Sequence, residues 1–179
     1  LHLASVVKGR TGLVLEVEPL EGDWGRTLGT AYGDLSAHAV AFNRGKKSLA
    51  VDLKNADALA LVRKMAAEAD VIVESFRPGV MARFGLGYDD LAKGNPSLVY
   101  LSVSGFGQKG PNRDLPATDA ILQAYTGWMY MNKNAEGIPQ RGGMVLVDVM
   151  TGLYAYQAIA SALIGRFRSG KGRYIDCSL

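Results

Sequence analysis

The stretch GGMVLVDVMTGLYAYQAIASALIG, residues 142–165, contains a single carboxylate, Asp148, with Val-Leu-Val before it and Val-Met after it. Burying an unpaired carboxylate costs several kcal/mol, or shifts its pKa until it neutralises. Three uses fit such a residue: a helix cap, a buried structural anion, or a nucleophile kept dry. Asp is a favoured N-cap, and a carboxylate at a helix start is stabilised by roughly 1 kcal/mol. The cap and nucleophile readings are compatible, because a carboxylate at a helix N-terminus stays ionised in an apolar site, as a nucleophile must. A second set of residues has binding chemistry. Lys46, Lys47, Lys54, Arg77 and Arg83 fall near the ends of apolar runs. They read either as solvated surface cations or as a site for a phosphate-bearing ligand, which Lys and Arg hold through charge-assisted hydrogen bonds.

Two glycine patterns invite nucleotide readings, and both fail on context. GFGQKG, residues 105–110, is literally G-x-G-x-x-G after a strand, but a dinucleotide fingerprint must open a helix at once. Pro111, Asn112 and Pro116 follow instead, so an extended loop is expected, its glycines letting backbone approach a ligand or a neighbouring loop. GRFRSGKG, residues 165–172, nearly matches a P-loop. Gly172 stands where the hydroxyl should be, and the order is helix then strand, the reverse of what a P-loop requires.

These residues need elements to position them. TGLVLEVE (11–18), KKSLAVDL (46–53), DVIVES (70–75), SLVYLSVS (97–104) and GRYIDCSL (172–179) read as strands. PLEGDWGRTLG after the first of them reads as a loop. A helix with Asn55 as N-cap carries Leu59, Val62 and Met65 at helical spacing. Short helices are expected over 80–84 and 89–93, and longer ones over 119–130 and 148–167, the last with Arg166 and Arg168 near its end, where the dipole favours cations. Alternating strands and helical crossovers argue for an α/β fold with a largely parallel sheet. Ligands favour the loops at strand C-termini in such folds, here ESFRPG, SGFGQKGP and the approach to Asp148.

Bulk properties exclude several classes. The chain has 179 residues, 48% apolar and 21% charged, enough for one well-cored domain, and residues 1–179 are read as a single domain fragment. Its net charge of +3 is dispersed, so a nucleic-acid tail is not expected. With one cysteine, Cys177, no internal disulfide and no Cys-based zinc site can form, and His2 and His38 do not make a His-rich metal site. No metal is expected. No charge-free apolar run reaches membrane-span length and no signal peptide opens the chain, so a cytoplasmic, reducing setting without a membrane partner is expected. The chain opens without Met and stops within an alternating run, and reads as part of a longer protein.

NRGKKSLAVDLK, ADVIVESFRPGVMARFGLGYDDL, NPSLVYLSVSGFGQKGP and VDVMTGLYAYQAIASALIGRFRSGKGRYIDCSL occur in the order and spacing of the class III CoA-transferases. The chain resembles the N-terminal half of that family, from about Val14 onward, whereas VVKGRTG matches poorly. The resemblance implies the Rossmann-like large domain of the family, coenzyme A bound as acyl-CoA, carboxylic acid substrates, and an interlocked homodimer. Asp148 matches the family's catalytic aspartate, which takes the acyl group as a mixed anhydride. Val51 and Lys54 match positions at the CoA adenine end. Ser75 and Phe76 match a CoA-contacting Asn-Phe pair, with Ser in place of Asn. Arg83 matches an arginine that binds CoA phosphate, and Asp119 an acidic position near the active site. Pro19 and Pro116 stand where formyl-CoA transferase has basic CoA-contacting residues, so the contacts there must differ.

The family's racemase branch pairs an Asp with a His that precedes the acidic residue of the ATD motif. Thr118 occupies that position here, which favours transfer over two-base racemisation. The alternatives are a racemase or epimerase, or a truncated, inactive CoA-binding remnant. Amides around Gly142, Gly143 or Gly152 are candidate oxyanion donors, and the apolar Val147, Val149 and Met150 suit a dry site. Residues 125–143 are expected to line the acyl end. Arg141 reads as a contact for a second substrate carboxylate or as a solvated cation.

Overall fold

The computed structural model describes the backbone of residues 4–8 and, with side chains, residues 12–33 and 35–179; His2 and Thr11 lie outside them. The main sheet has six strands: β1 (Ala4–Lys8), β2 (Leu13–Glu18), β5 (Lys47–Ala50), β6 (Val71–Glu74), β7 (Val99–Ser104) and β8 (Arg173–Ser178), in the order β5-β2-β1-β6-β7-β8. β6, β7 and β8 run parallel, as do β2 and β5. β1 is antiparallel to both of its neighbours, with Val6 opposite Leu15 on one side and Ile72 on the other. The expected parallel α/β sheet is therefore present, with one reversed strand at its centre. Residues 4–8 carried no strand reading, so this reversal is new.

Each helix forms for a local reason. Asn55 caps α2 (Ala56–Ala67) by accepting from Asp57 N and Ala58 N, each at 3.0 Å. Val62 and Ala66 on its inner face pack with Ile72, Leu98 and Tyr100 of the sheet side. The short α3 (Val80–Arg83) and α4 (Tyr88–Leu91) add Met81, Leu86 and Leu91 to this core. Each such aliphatic side chain contributes about 1.5–3 kcal/mol on burial. Tyr100 is fully enclosed, and its hydroxyl donates to Leu86 O at 3.0 Å, so the core holds no orphaned phenol.

The segment after β2 is more structured than a loop. A 3-10 turn (Trp24–Thr27) is capped by Asp23, whose carboxylate accepts from Gly25 N at 2.7 Å. The two-stranded ribbon β3 (Ala31–Tyr32) and β4 (Leu35–Ser36) then leads into α1 (Ala37–Phe42), capped by Ser36. Its elements are too short for a periodicity to register. The helix expected over 119–130 is two: α5 (Asp119–Tyr125) and α6 (Trp128–Met131), interrupted at Gly127 with φ 84°.

The longest helix, α7 (Leu146–Ser169), starts two residues earlier than expected. Near its far end, Arg166 Nη1 donates to Asp70 Oδ1 at 3.0 Å and to the carbonyls of Asp70 and Ser97, tying the helix to the start of the parallel strands. The glycines after it make room: a Cβ at Gly172 would overlap the Leu98 carbonyl, which accepts from Arg173 N at 2.9 Å as β8 enters the sheet. GRFRSGKG is thus a helix terminus feeding a strand. By length and composition α7 is apolar enough to cross a membrane, yet few of its residues are buried. Leu153, Tyr154, Tyr156, Ile164 and Phe167 are exposed, Phe167 at 94%.

Candidate active site

Two clefts open at the C-terminal ends of the strands and share Phe76. The first, about 400 Å³, is lined by Ser75, Phe76, Arg77 and Pro78 after β6, by Ser104 and Gly105 at the end of β7, by Arg113 and Leu115 to Ala117, and by Asp148, Thr151, Gly152 and Ala155 of α7. The second, about 520 Å³, is lined by Glu18 to Glu21, Val51 to Lys54, Phe76 and Phe84. Ser75, Phe76 and Asp148 therefore line the first cleft, and Val51, Lys54 and Phe76 the second. Arg83 is exposed at the end of α3 beside Phe84 and lines neither cleft. Arg141 is exposed and likewise outside both linings, whereas Arg77 and Arg113, the latter without a sequence reading of its own, face the Asp148 cleft.

The turn at Ser75 and Phe76 is held by the last residue of β6. Glu74 points inward, and its carboxylate accepts from Phe76 N at 2.8 Å. Burial pushes the Glu74 carboxyl up, opposed by hydrogen bonds from Ser102 and Phe76. GFGQKG packs against the neighbouring strand end and loop. Gln108 N donates to both carboxylate oxygens of Asp176 at 3.0 Å, and a Cβ at Gly105 would overlap Ala117. Close approach to a neighbouring loop is thus seen at Gly105, which also lines the first cleft.

Asp148 is half-buried in the first turn of α7, not at its cap. Val145 holds the cap position and has no side chain to offer the orphan amides of the helix start. Asp119 supplies the missing acceptor from α5: its Oδ2 accepts from Val147 N at 2.7 Å and Asp148 N at 3.3 Å. The cap expected of Asp148 is thus provided by a residue distant in sequence. The Asp148 carboxylate accepts no hydrogen bond from the described residues. Burial pushes its carboxyl up, the adjacent Asp119 charge adds to this, and His38 acts in the opposite sense. Asp119 itself is 7% exposed and sits beneath the helix rather than in the cleft wall.

Other expectations about this region change. The Gly142 amide donates to Gln123 Oε1 at 2.9 Å, and those of Val147 and Asp148 go to Asp119, so none of the three is free to hold an oxyanion. Val147 and Val149 are half-buried and Met150 is exposed, so in this chain alone they do not shut water out. Thr151, a lining residue without a sequence reading, is buried and donates from Oγ1 to Val147 O at 2.8 Å.

The site is thus an α/β scaffold presenting a half-buried carboxylate, without a hydrogen-bond donor among the described residues, at a cleft over the strand C-termini. Comparison with known proteins gives the family: residues 12–179 match the model of CoA-transferase family III, and the chain belongs to that family. It is 46% identical over 167 residues to the acetyl-CoA:oxalate CoA-transferase of Acetobacter aceti, covering 92% of this chain and 43% of that one. It is 40% identical over 168 residues to the human succinyl-CoA:glutarate CoA-transferase, covering 93% of this chain and 38% of that one. A CAIB/BAIF family protein of Brucella suis superposes with a TM-score of 0.87 at 39% identity, over 93% of this chain and 45% of that structure. The chain thus spans under half the length of the relatives it matches.

Proposed function

We propose that this chain carries the nucleophile and much of the acyl-CoA site of a CoA-transferase that moves CoA from an acyl-CoA donor to a carboxylic acid. The observation that carries the reading is the free carboxylate of Asp148 in the first cleft, one turn from Thr151, while Asp119 takes the helix amides. Thioester exchange needs an oxygen nucleophile that becomes an activated acyl group itself, and a carboxylate does this where a serine would give a stable ester. Ionised Asp148 attacks the thioester carbonyl; the C–S bond breaks, CoA thiolate leaves, and a mixed anhydride forms. The thiolate then attacks the aspartyl carbonyl, releasing the donor carboxylate and leaving an aspartyl-CoA thioester. The acceptor carboxylate attacks that thioester, forming a second anhydride and freeing the thiolate. Attack of the thiolate on the acceptor's carbonyl yields the new acyl-CoA and regenerates Asp148.

Two clefts meeting at Phe76 suit one extended ligand, with the adenine end toward Val51 and Lys54 and the thioester toward Asp148. Arg83, exposed and next in sequence to the lining residue Phe84, is proposed as a phosphate contact. The two curated relatives act on oxalate and glutarate, both dicarboxylic acids. A dicarboxylic acceptor is proposed here, with Arg77 or Arg113 rather than Arg141 as counter-cation. The exposed apolar side of α7 supports an assembly, a homodimer by the family resemblance, in which further polypeptide covers that helix and dries the site. A reducing, cytoplasmic setting suits the free thiol of Cys177. Racemisation is disfavoured by Thr118, which stands where the racemase branch has its His and serves as the cap of α5.

Peptide mass spectrometry after brief incubation with a panel of acyl-CoAs, quenched in acid and in hydroxylamine, tests the mechanism. A CoA adduct or hydroxamate on the Asp148 peptide, absent in Asp148→Asn, is the expected result. A folded protein that binds CoA and forms no adduct at Asp148 would overturn it.

A further inference from the structure

We infer that Gln123 is a positioning residue for Asp148: it locks Asp119 and the 142–144 segment into one unit that fixes where the nucleophile's backbone lies. The inference rests on the transferase reading above, but its geometry stands apart from it. Gln123 is 1% exposed, and both ends of its amide are engaged. Nε2 donates to Asp119 Oδ1 at 2.6 Å and to Met144 O at 3.4 Å, and Oε1 accepts from Gly142 N at 2.9 Å. This is the one amide orientation that works, since the reverse would face an oxygen to a carboxylate and an NH2 to an amide N–H. Asp119 Oδ2 is then left to accept from Val147 and Asp148.

The chain runs from Gln140 to Met144 without regular structure before α7 begins, and Val145 cannot cap that helix. Gln123 and Asp119, one turn apart on α5, hold both ends of this approach. Without Gln123, Oδ1 of Asp119 would be a buried, unpaired carboxylate oxygen, and the carboxylate would turn to recruit another donor. Asp148 would move with it. A misplacement of about 1 Å at a reacting group costs on the order of a hundredfold in rate.

The test uses the full-length, active enzyme. Gln123→Met keeps the volume and removes all three hydrogen bonds; kcat should fall about a hundredfold while KM for acyl-CoA stays within about threefold. Gln123→Glu places two carboxylates in contact, and its residual activity should rise as pH falls and a shared proton bridges them. The exchange Asp119→Asn with Gln123→Glu reverses donor and acceptor between the two residues and keeps the bonds to Gly142, Val147 and Asp148, giving up only the long 3.4 Å bond to Met144 O. It should recover kcat to within about tenfold of wild type, which a merely space-filling role would not produce.

Amide hydrogen exchange at Gly142, Val147 and Asp148 reads the same clamp without turnover: faster in Gln123→Met, restored in the exchange variant. Unchanged kcat and unchanged exchange in Gln123→Met would overturn the inference, as would an exchange variant that folds yet recovers neither. A wild-type enzyme that forms no Asp148 adduct would instead overturn the transferase reading, and the exchange data would still decide the clamp.

Discussion

Glu18 and Asp148 are both carboxylates withdrawn from water, and the protein treats them in opposite ways. Glu18, at the end of β2, is 4% exposed and surrounded by donors. It accepts from Arg26 Nη2 at 2.6 Å and Nε at 3.0 Å, from Asp23 N at 2.8 Å, and from Ser48 Oγ. Those bonds, the Arg26 pair foremost, hold its carboxyl down at about 2 against the opposing effect of burial. Asp148 is less buried and has no donor among the described residues, so burial and the Asp119 charge push its carboxyl up. The donors nearest to it, the first amides of α7, are taken by Asp119. A carboxylate whose lone pairs are all bonded is structural; one left unbonded beside a cleft has lone pairs available to attack.

The largest effects should separate these two acids completely. Asp148→Asn is expected to lower turnover by at least about a thousandfold, with thermal stability unchanged or slightly higher, because the substitution removes a carboxylate that burial disfavours. Glu18→Gln should do the reverse. It breaks a partly buried, bidentate pair and leaves turnover within about threefold, while stability falls by about 1 kcal/mol, measured by urea denaturation at neutral pH. Comparable losses of activity in both variants would dissolve the distinction.

The pH dependence of stability sharpens the contrast, since the two shifts have opposite signs. Glu18 is lowered from 4.5 to about 2, so its contribution is fully present above about 4.5 and is lost as pH falls toward 2. The shift corresponds to about 3 kcal/mol at most. Asp148 is raised, so in its window the folded state binds more protons than the unfolded one, and stability falls as pH rises from the ordinary aspartate range through the raised value. Urea midpoints followed from pH 2 to 7 should show Glu18→Gln flattening the acid-side loss and Asp148→Asn removing part of the decline above it. A wild-type curve unaffected by either change would contradict both assignments.

A smaller effect tests the link between Asp119 and Asp148. In the proposed mechanism attack requires ionised Asp148, so the rate should rise with pH through an acid limb lying above the ordinary aspartate value. Removing the neighbouring charge in Asp119→Asn should move that limb to lower pH, while the disturbed bonding to Gln123 lowers the plateau. An acid limb that stays in place would mean the two carboxylates do not sense one another.

How much of this was legible in the sequence follows from how local each feature is. Asp148 stood out because a lone carboxylate interrupts an apolar run, and the strands around it were readable from alternation alone. Its role as a cap was misread because the helix begins at Leu146 and the capping oxygen comes from Asp119, a partner no local pattern reveals. Gln123 was missed for the same reason: its three partners lie on segments joined only by the fold, although its i, i+4 spacing from Asp119 was there to be seen. β1 and α1 went unread because five or six residues hardly establish a period, and the reversed direction of β1 is decided by its pairing with β2 and β6. Gly172 belongs with these, since the Leu98 carbonyl that requires a glycine there is remote in sequence.

The smallest expected effect concerns the second cleft, which Lys54 lines. Lys54 is exposed on the rim of the cleft that also contains Glu18 and Val51. A solvated ammonium meeting an anionic group gains little, because water screens the pair and the side chain loses rotamer freedom. Lys54→Ala should therefore raise KM for acyl-CoA about threefold at low salt, with kcat unchanged, and the difference should shrink in 0.5 M salt, roughly the concentration at which the screening length falls to a few ångströms. Analogues lacking the nucleotide should be indifferent to the substitution, and thiol-truncated ones should still feel it, if Lys54 serves only the nucleotide end. A fall in kcat would instead connect Lys54 to the chemistry at Asp148, and the division of the site at Phe76 into a binding end and a reacting end would fail.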